Sequence, residues 1–207
     1  RIAQTAKPIM LSSGMSSFQE LDVTIDFLRS RKAEVQVLQC TTSYPTSPEN
    51  WGLNVIEELK SRYGLTVGFS DHSGDIYACL FAAAKGAEIL EFHAVFHKEM
   101  FGPDAKASLT IEQIKQLAKG IDQFKTATAN RIDKNNNSQF TELKSIFEKS
   151  LSVNRELASG HILSISDLEA KKPKGKGIDA RKFESVVGKK LNKNLDKWSF
   201  LNEEDLQ

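Results

Sequence analysis

The chain has 207 residues, of which 40% are apolar and 27% are charged, and its formal net charge is +1. This apolar fraction is enough to form a core, which excludes a wholly disordered chain. No run of about 18 apolar residues occurs, so we expect no membrane-spanning helix. The two cysteines, Cys40 and Cys79, are too few for a disulfide framework or a structural zinc site. We interpret them as reduced thiols of a cytoplasmic protein.

Residues 1–121 alternate short apolar runs with segments of helical periodicity. Four strand–helix units in a row predict an α/β fold with a parallel sheet and helices packed outside it. The spacing fits either a doubly wound sheet or a (β/α)8 barrel. No Gly-x-Gly-x-x-Gly follows a strand, which weakens the dinucleotide-binding alternative. The predicted strands are 8–12, 35–40, 65–69 and 89–95, and the predicted helices are 17–28, 51–63, 76–85 and 110–121.

The rest of the chain has a different character. Residues 122–146 contain few apolar side chains and are predicted to be a linker, whereas 147–207 indicate a small, mostly irregular or β-containing module. Its basic stretch 171–193 is a solvated face, a region that attracts an anionic substrate, or a nonspecific nucleic-acid site. Because only Phe183 interrupts the basic residues, base stacking has little support and we predict no nucleic-acid partner.

Polar side chains collect where the predicted strands end. The carboxyl ends of parallel strands meet at one edge of a sheet, where ligands bind. Two imidazoles at that edge are within reach of one metal ion; the alternative is two hydrogen-bonded histidines beside the core. The hydroxyls suit phosphate binding; the alternative is ordinary turn and capping chemistry. The residues concerned are Ser12, Ser13, Gln39, Thr41, Thr42, Tyr44, Ser70, Asp71, His72, Glu91 and His93.

Five motifs, in order and at matching spacings, resemble the N-acetylneuraminate (sialic acid) synthase family. They are Leu11-Ser-Ser-Gly-Met, Leu38-Gln-Cys-Thr-Thr-Ser-Tyr-Pro, Gly68-Phe-Ser-Asp-His-Ser, Leu90-Glu-Phe-His and Gly102-Pro-Asp-Ala-Lys-Ala-Ser-Leu. Residues 147–207 are similar to that family's antifreeze-like (SAF) domain. The resemblance implies the C-terminal half of a (β/α)8 TIM barrel in residues 1–121, a linker in 122–146 and a SAF domain in 147–207.

The resemblance also implies a reaction. Enzymes of this family condense phosphoenolpyruvate with an N-acylated hexose such as N-acetylmannosamine, giving a nine-carbon 2-keto sugar acid and phosphate. They use a divalent metal ion, Mn²⁺ or Mg²⁺, and form a domain-swapped homodimer when full length. We therefore expect phosphoenolpyruvate and an N-acylated amino sugar as small-molecule partners.

The site residues implied by the resemblance fall into three groups. The catalytic group is the pair of metal ligands, His72 and His93, with Glu91 beside them. The second group contacts phosphoenolpyruvate, and it consists of Ser12, Thr42 and Ser70. The third group contacts the sugar, and it consists of Tyr44, Asp104 and Lys172. Lys172 stands where the family has an arginine before proline, so the charge is kept but the planar guanidinium is not. Gln39 stands where some members have histidine, and we expect it not to bind metal.

The chain begins at Arg1, without the first four strands and helices of the family's barrel. That half carries the family's main phosphate-binding lysine. We therefore expect the 207 residues to be part of a longer synthase and inactive alone. The alternative is a noncatalytic sugar-binding or assembly module, which would fold and bind sugar or a partner without turnover.

Overall fold

The protein is described by a computed structural model that covers all 207 residues. The chain folds as two compact units, residues 1–131 and 132–207. Cys40 and Cys79 are both unpaired thiols. None of the helices combines the length and the apolar character needed to span a lipid bilayer.

The first unit is built on a four-stranded parallel sheet with strand order β1-β2-β3-β4. Its strands are β1 (Ile9–Ser12), β2 (Val35–Cys40), β3 (Val67–Asp71) and β4 (Ile89–Phe92). The connecting helices are α1 (Phe18–Ser30), α2 (Leu53–Tyr63) and α3 (Tyr77–Ala84). A short parallel pair, β5 (Ala94–Val95) and β6 (Leu109–Thr110), leads into α4 (Ile111–Ala129). The predicted α/β architecture is confirmed, and the four units are half the number in a (β/α)8 barrel.

Local sequence explains where the helices begin. Ser17 and Glu20 form a capping box at the start of α1, in which each side chain accepts a hydrogen bond from the other residue's backbone N–H. Thr110 and Gln113 cap α4 in the same way. Both pairs satisfy N–H groups that a helix start leaves without partners.

The main core of this unit lies between the sheet and its helices. Val37, Val67 and Phe69 are fully buried against Ile25 of α1 and Ile56 of α2. Alternation along β3 therefore turns its odd-numbered side chains toward the helices and its even-numbered side chains toward the opposite face.

Gly68 has a steric reason to be glycine. A Cβ atom at this position would lie 2.2 Å from Leu38 Cδ2 and 2.8 Å from Ile89 Cβ. The side chains of the neighbouring strands therefore close over β3 at this point.

The segment 122–146, predicted as a linker, is largely structured. Helix α4 continues to Ala129, and a further helix, α5, covers Thr141–Phe147. Beyond Ile121 every residue of α4 is exposed. This part of the helix therefore lacks the repeating apolar positions by which a buried helix face is recognised in a sequence. The division between the two compact units falls between Arg131 and Ile132.

The second unit is small and mostly irregular, as expected from its sequence. Strands β7 (Ser150–Val153) and β8 (Leu168–Lys171) pair antiparallel, and α6 (Phe183–Val186) is a single turn. Turns and isolated bridges make up most of the remainder. The core of the unit is rich in leucine and consists of Leu151, Val153, Leu157, Leu163, Ile178, Val186, Leu191, Leu195 and Leu201.

A buried carboxylate organises one end of this unit. Asp167 accepts hydrogen bonds from Arg155 Nε (2.8 Å), His161 Nε2 (2.9 Å) and the backbone N–H of Ser164 (2.9 Å). Burial opposes ionisation of Asp167, but hydrogen bonds from His161, Ser164 and Arg155 outweigh it and hold its pKa well below the usual range. His161 is half-buried in this network.

We predict that Asp167→Asn lowers the free energy of unfolding of the second unit by about 2 kcal/mol at pH 7, because charge-assisted hydrogen bonds are lost. The folded-state pKa lies below the unfolded value of about 3.9. The stabilisation is therefore present above that value and is lost as the pH falls toward the folded-state pKa. Urea unfolding followed by Trp198 fluorescence, with Trp51→Phe in all variants, measures the difference at pH 7 and pH 3.

Asp196→Asn is the matched control, because Asp196 is exposed and its carboxylate makes no hydrogen bond. We expect it to change stability by less than about 0.5 kcal/mol. A difference between Asp167→Asn and the wild type that stays the same from pH 7 to pH 3 would contradict the assigned role of the carboxylate.

Candidate functional site

Most of the predicted site residues line one pocket at the carboxyl end of the parallel sheet. The pocket has a volume of about 380 Å³. Its lining consists of Ser12, Gly14, Met15, Cys40, Thr41, Thr42, Tyr44, Ser70, His72, Glu91 and His93. Strand ends and the loops that follow them supply all of these residues.

Register between strands explains why these side chains meet. Cys40 pairs with Ser70, and Ser70 pairs with Glu91, so these residues of β2, β3 and β4 form a row across the sheet. Side chains of paired residues point to the same face. His72 and His93 lie two residues beyond Ser70 and Glu91 and share their face.

The ring of His72 is held in one tautomer. Its Nδ1 atom lies 2.9 Å from the backbone carbonyl oxygen of Thr41 and 2.9 Å from the Thr41 hydroxyl oxygen. A carbonyl oxygen only accepts, so Nδ1 carries the proton and donates it. Burial lowers the pKa of His72, and the ring is therefore neutral at pH 7 with a free lone pair on Nε2.

His93 and Tyr44 lie against this ring. The ring centroids of His72 and His93 are 5.1 Å apart, and Tyr44 lies 4.0 Å from His72 and 5.8 Å from His93. Asp104 is outside the pocket lining, but its carboxylate oxygen is 3.7 Å from His93 Nδ1. The two imidazoles therefore share one aromatic cluster with a carboxylate at its margin.

Hydroxyl groups supply hydrogen-bonding capacity on the other side of the pocket. Ser12 Oγ lies 2.8 Å from Cys40 Sγ. The side chains of Thr42 and Ser70 line the pocket and are not used in the internal hydrogen bonds of the protein. No lysine or arginine lines the pocket, so its lining offers an anion only neutral donors.

Three other residues considered from the sequence lie elsewhere. The Asp71 side chain is on the helix-facing side of β3, where it accepts hydrogen bonds from the N–H and hydroxyl of Ser73, and burial raises its pKa. Gln39 accepts a hydrogen bond from the Ser13 hydroxyl and does not line the pocket. Lys172 belongs to the second unit, with its ammonium 4.5 Å from the ring centroid of Phe147.

The donor set suits a metal ion that takes few protein ligands. His72 Nε2 has a free lone pair, and His93 is close enough to bind the same ion. The structure contains no cluster of three or more His, Cys, Asp or Glu side chains arranged to hold a metal. Two imidazoles are too few for a closed structural zinc site, which has four protein ligands.

The functional contribution of Thr41 was not assigned from the sequence. Its hydroxyl contacts His72 Nδ1 and also donates to the Ser70 carbonyl at 3.3 Å. The one feature of the sequence that could have indicated this role is the position of Thr41 directly after β2, beside the end of β3. The contact itself depends on the strand register, which the sequence alone does not specify.

Comparison with known proteins identifies the family of this chain. The model of the NeuB family matches residues 1–133, which is more than half of the chain. The chain belongs to the NeuB family. The family resemblance found in the motifs is thereby confirmed.

Individual NeuB relatives are named as synthases. The N,N'-diacetyllegionaminic acid synthase of Campylobacter jejuni is 34% identical over 206 residues, covering 98% of this chain and 61% of the relative. A pseudaminic acid synthase of Campylobacter jejuni is 28% identical over 209 residues, covering 100% of this chain and 60% of the relative. The chain thus spans about three-fifths of the length of these curated relatives.

A solved structure supports the same assignment. N-acetylneuraminic acid (sialic acid) synthetase from Leptospira borgpetersenii is 27% identical, with a TM-score of 0.61. The match covers 69% of this chain and 50% of that protein.

We predict that long-range ¹H–¹⁵N NMR spectra at pH 7 contain a protonated Nδ1 and an unprotonated Nε2 for His72. His97 is the internal control, because its Nδ1 accepts a hydrogen bond from the Glu99 N–H and its ring is expected in the opposite tautomer. A protonated Nε2 on His72 would contradict the tautomer assigned from Thr41.

Proposed function

We propose that this pocket is part of the active site of a nonulosonate synthase, which condenses phosphoenolpyruvate with an N-acylated hexose such as N-acetylmannosamine. The observation that carries the proposal is the convergence of two imidazoles, a carboxylate and several hydroxyls in one pocket of a NeuB family chain. The relatives named as legionaminic and pseudaminic acid synthases support the same class of reaction.

In this proposal His72 Nε2 and His93 hold a divalent metal ion, Mn²⁺ or Mg²⁺. When bound, the ion polarises the carbonyl of the sugar aldehyde and stabilises the negative charge that develops on its oxygen. Thr41 keeps His72 in the tautomer that binds metal, and a hydrogen-bond acceptor on the second ring nitrogen is the usual companion of a metal-binding histidine.

The remaining pocket residues orient the two substrates. The hydroxyls of Ser12, Thr42 and Ser70 donate hydrogen bonds to phosphoenolpyruvate, which holds it in position for attack. Tyr44 and Asp104 contact the sugar. Lys172 contacts the N-acyl group within a domain-swapped homodimer, in which residues 147–207 act as a SAF domain.

The reaction makes one carbon–carbon bond and one carbon–oxygen bond, and it breaks the carbon–oxygen bond to phosphate. C3 of phosphoenolpyruvate attacks the aldehyde carbon, and the aldehyde oxygen takes a proton from solvent. Water then adds at C2, and phosphate leaves with cleavage of the C2–O bond, giving the 2-keto acid. Glu91 is the carboxylate of the pocket lining, and we assign it the role of accepting the proton of the added water.

We also propose that the 207 residues do not complete this site. The lining of the pocket has no lysine or arginine to neutralise a phosphate, and the chain spans 61% of the legionaminic acid synthase that it matches. The chain alone is then expected to bind metal without turnover. Synthesis would require the polypeptide at the full family length, in a cytoplasmic setting.

The metal assignment is tested with Mn²⁺ titrations of the chain, followed by electron paramagnetic resonance. We predict that His72→Ala and His93→Ala each weaken Mn²⁺ binding at least about tenfold, because each removes one of two protein ligands. His97→Ala is the matched control and should leave binding unchanged, because His97 is exposed and outside the pocket.

Wild-type binding that persists in the doubly substituted His72→Ala, His93→Ala variant would refute the metal assignment. Turnover is tested separately with the full-length gene product that contains this chain. Phosphate release that depends on both phosphoenolpyruvate and the amino sugar is the expected result. Binding of sugar with no phosphate release from that product would favour the noncatalytic module instead.

A further inference from the structure

Lys98 is a half-buried cation outside the pocket, and its ammonium group donates hydrogen bonds only to backbone carbonyls. It lies in the loop that follows β5. Its Nζ atom donates hydrogen bonds to the carbonyl oxygens of Gly74 (2.6 Å), Lys106 (3.3 Å) and Ser108. An ammonium has three N–H donors, so these contacts use its full capacity. Burial lowers the pKa of Lys98, while the nearby carboxylates of Asp71 and Asp75 favour its charged form.

The three carbonyls come from two loops that also touch directly. Gly74 belongs to the loop after β3, whereas Lys106 and Ser108 belong, like Lys98 itself, to the loop that joins β5 to β6. Gly74 has a φ of 78°, and a Cβ atom there would lie 2.2 Å from the Lys106 carbonyl oxygen. Only glycine fits both the left-handed backbone and the close approach. The loops are thus packed backbone to backbone, with Lys98 as the charged bridge.

Each loop carries a residue of the proposed site. His72 lies two residues before Gly74. Asp104 is bound into the second loop, because its carbonyl accepts hydrogen bonds from the Ala107 N–H (3.0 Å) and the Ser108 hydroxyl (2.7 Å). These hydrogen bonds connect Asp104 to Ser108, so a contact to the Ser108 carbonyl also constrains Asp104.

We propose that Lys98 is a positioning residue that fixes the loop of Asp104 relative to the loop of His72. The Asp104 carboxylate lies 3.7 Å from Nδ1 of His93, so the position of this loop also sets the distance between the carboxylate and the ring of His93. This inference rests on the proposed function only for the tasks of His72, His93 and Asp104; the loop contacts themselves do not depend on it. A carboxylate beside a metal-binding histidine orients its ring, and the loss of such partners weakens metal binding about 10- to 100-fold.

The first test is independent of metal. Lys98→Met keeps the length of the side chain and removes its donors. We expect amide hydrogen exchange of Ala107 and Ser108 to accelerate at least tenfold, while Val37 and Phe69 in the central strands stay protected. Lys106→Met is the matched control. It removes a cation from the same loop, but the side chain of Lys106 is exposed. Unchanged exchange at Ala107 and Ser108 in Lys98→Met would overturn the proposal.

The second test asks whether Lys98 acts through Asp104. We expect Lys98→Met and Asp104→Asn each to raise the Kd for Mn²⁺ about tenfold, and the double variant to match Asp104→Asn alone. Independent effects would multiply instead, and a double variant about a hundredfold weaker than wild type would overturn the coupling.

Two further outcomes are distinguishable. Wild-type chain that binds no Mn²⁺ would refute the metal assignment of the proposed function, while the exchange measurement would still decide the position of the loops. If Lys98→Met does not fold, Lys98→Gln, which keeps an N–H donor group, replaces it in both tests. The same two results, unchanged exchange or multiplied effects, would then overturn the proposal.

Discussion

The pleat of β3 is the constraint on which the rest of the site depends. Phe69 and Asp71 face the helices, so Ser70 and the following His72 face the pocket. A shift of one residue in the pairing of β3 would exchange these two sets and bury the imidazole among apolar side chains. Gly68 contributes to fixing the register, because any larger residue would collide with Leu38 and Ile89 on the neighbouring strands.

The arrangement of the parallel strands turns this local pattern into a site. Cys40, Ser70 and Glu91 form a row because their strands are in register, and the loops beyond the row bring Tyr44 and His93 together. The pocket has hydroxyls, imidazoles and a carboxylate, but no cationic side chain. In the proposed condensation, the divalent ion held by the two imidazoles would supply the positive charge that the pocket side chains lack.

Much of this could be predicted from the sequence, because the governing signals are local. Short apolar runs indicated the four strands, and the polar residues at their ends indicated which side chains meet at the carboxyl edge of the sheet. The family motifs added the assignments of Tyr44 and Asp104. The roles of all these residues remain predictions, whereas the family and the convergence of most of them in one pocket are established. Lys172 is placed only within the second unit, and its contact with substrate is still a prediction.

Other features depended on contacts that no local pattern records. Lys98 donates hydrogen bonds to backbone carbonyl oxygens. Because every residue has a carbonyl oxygen, the residue types in the sequence do not indicate which ones Lys98 contacts. The hydrogen bond between His161 and Asp167 depends on how the turns of the second unit fold, and no pattern in the sequence indicates it. The solvent-exposed end of α4 lacked the apolar period by which helices are recognised, and was therefore assigned to the linker.

The central claim is that His72 and His93 together bind one divalent ion in this pocket. Anomalous diffraction at the manganese absorption edge, from crystals of the chain grown with Mn²⁺, tests it most directly. The account predicts a single strong anomalous peak between the two imidazoles, on the side of His72 Nε2. A peak bound by other residues, with none between these two rings, would contradict it.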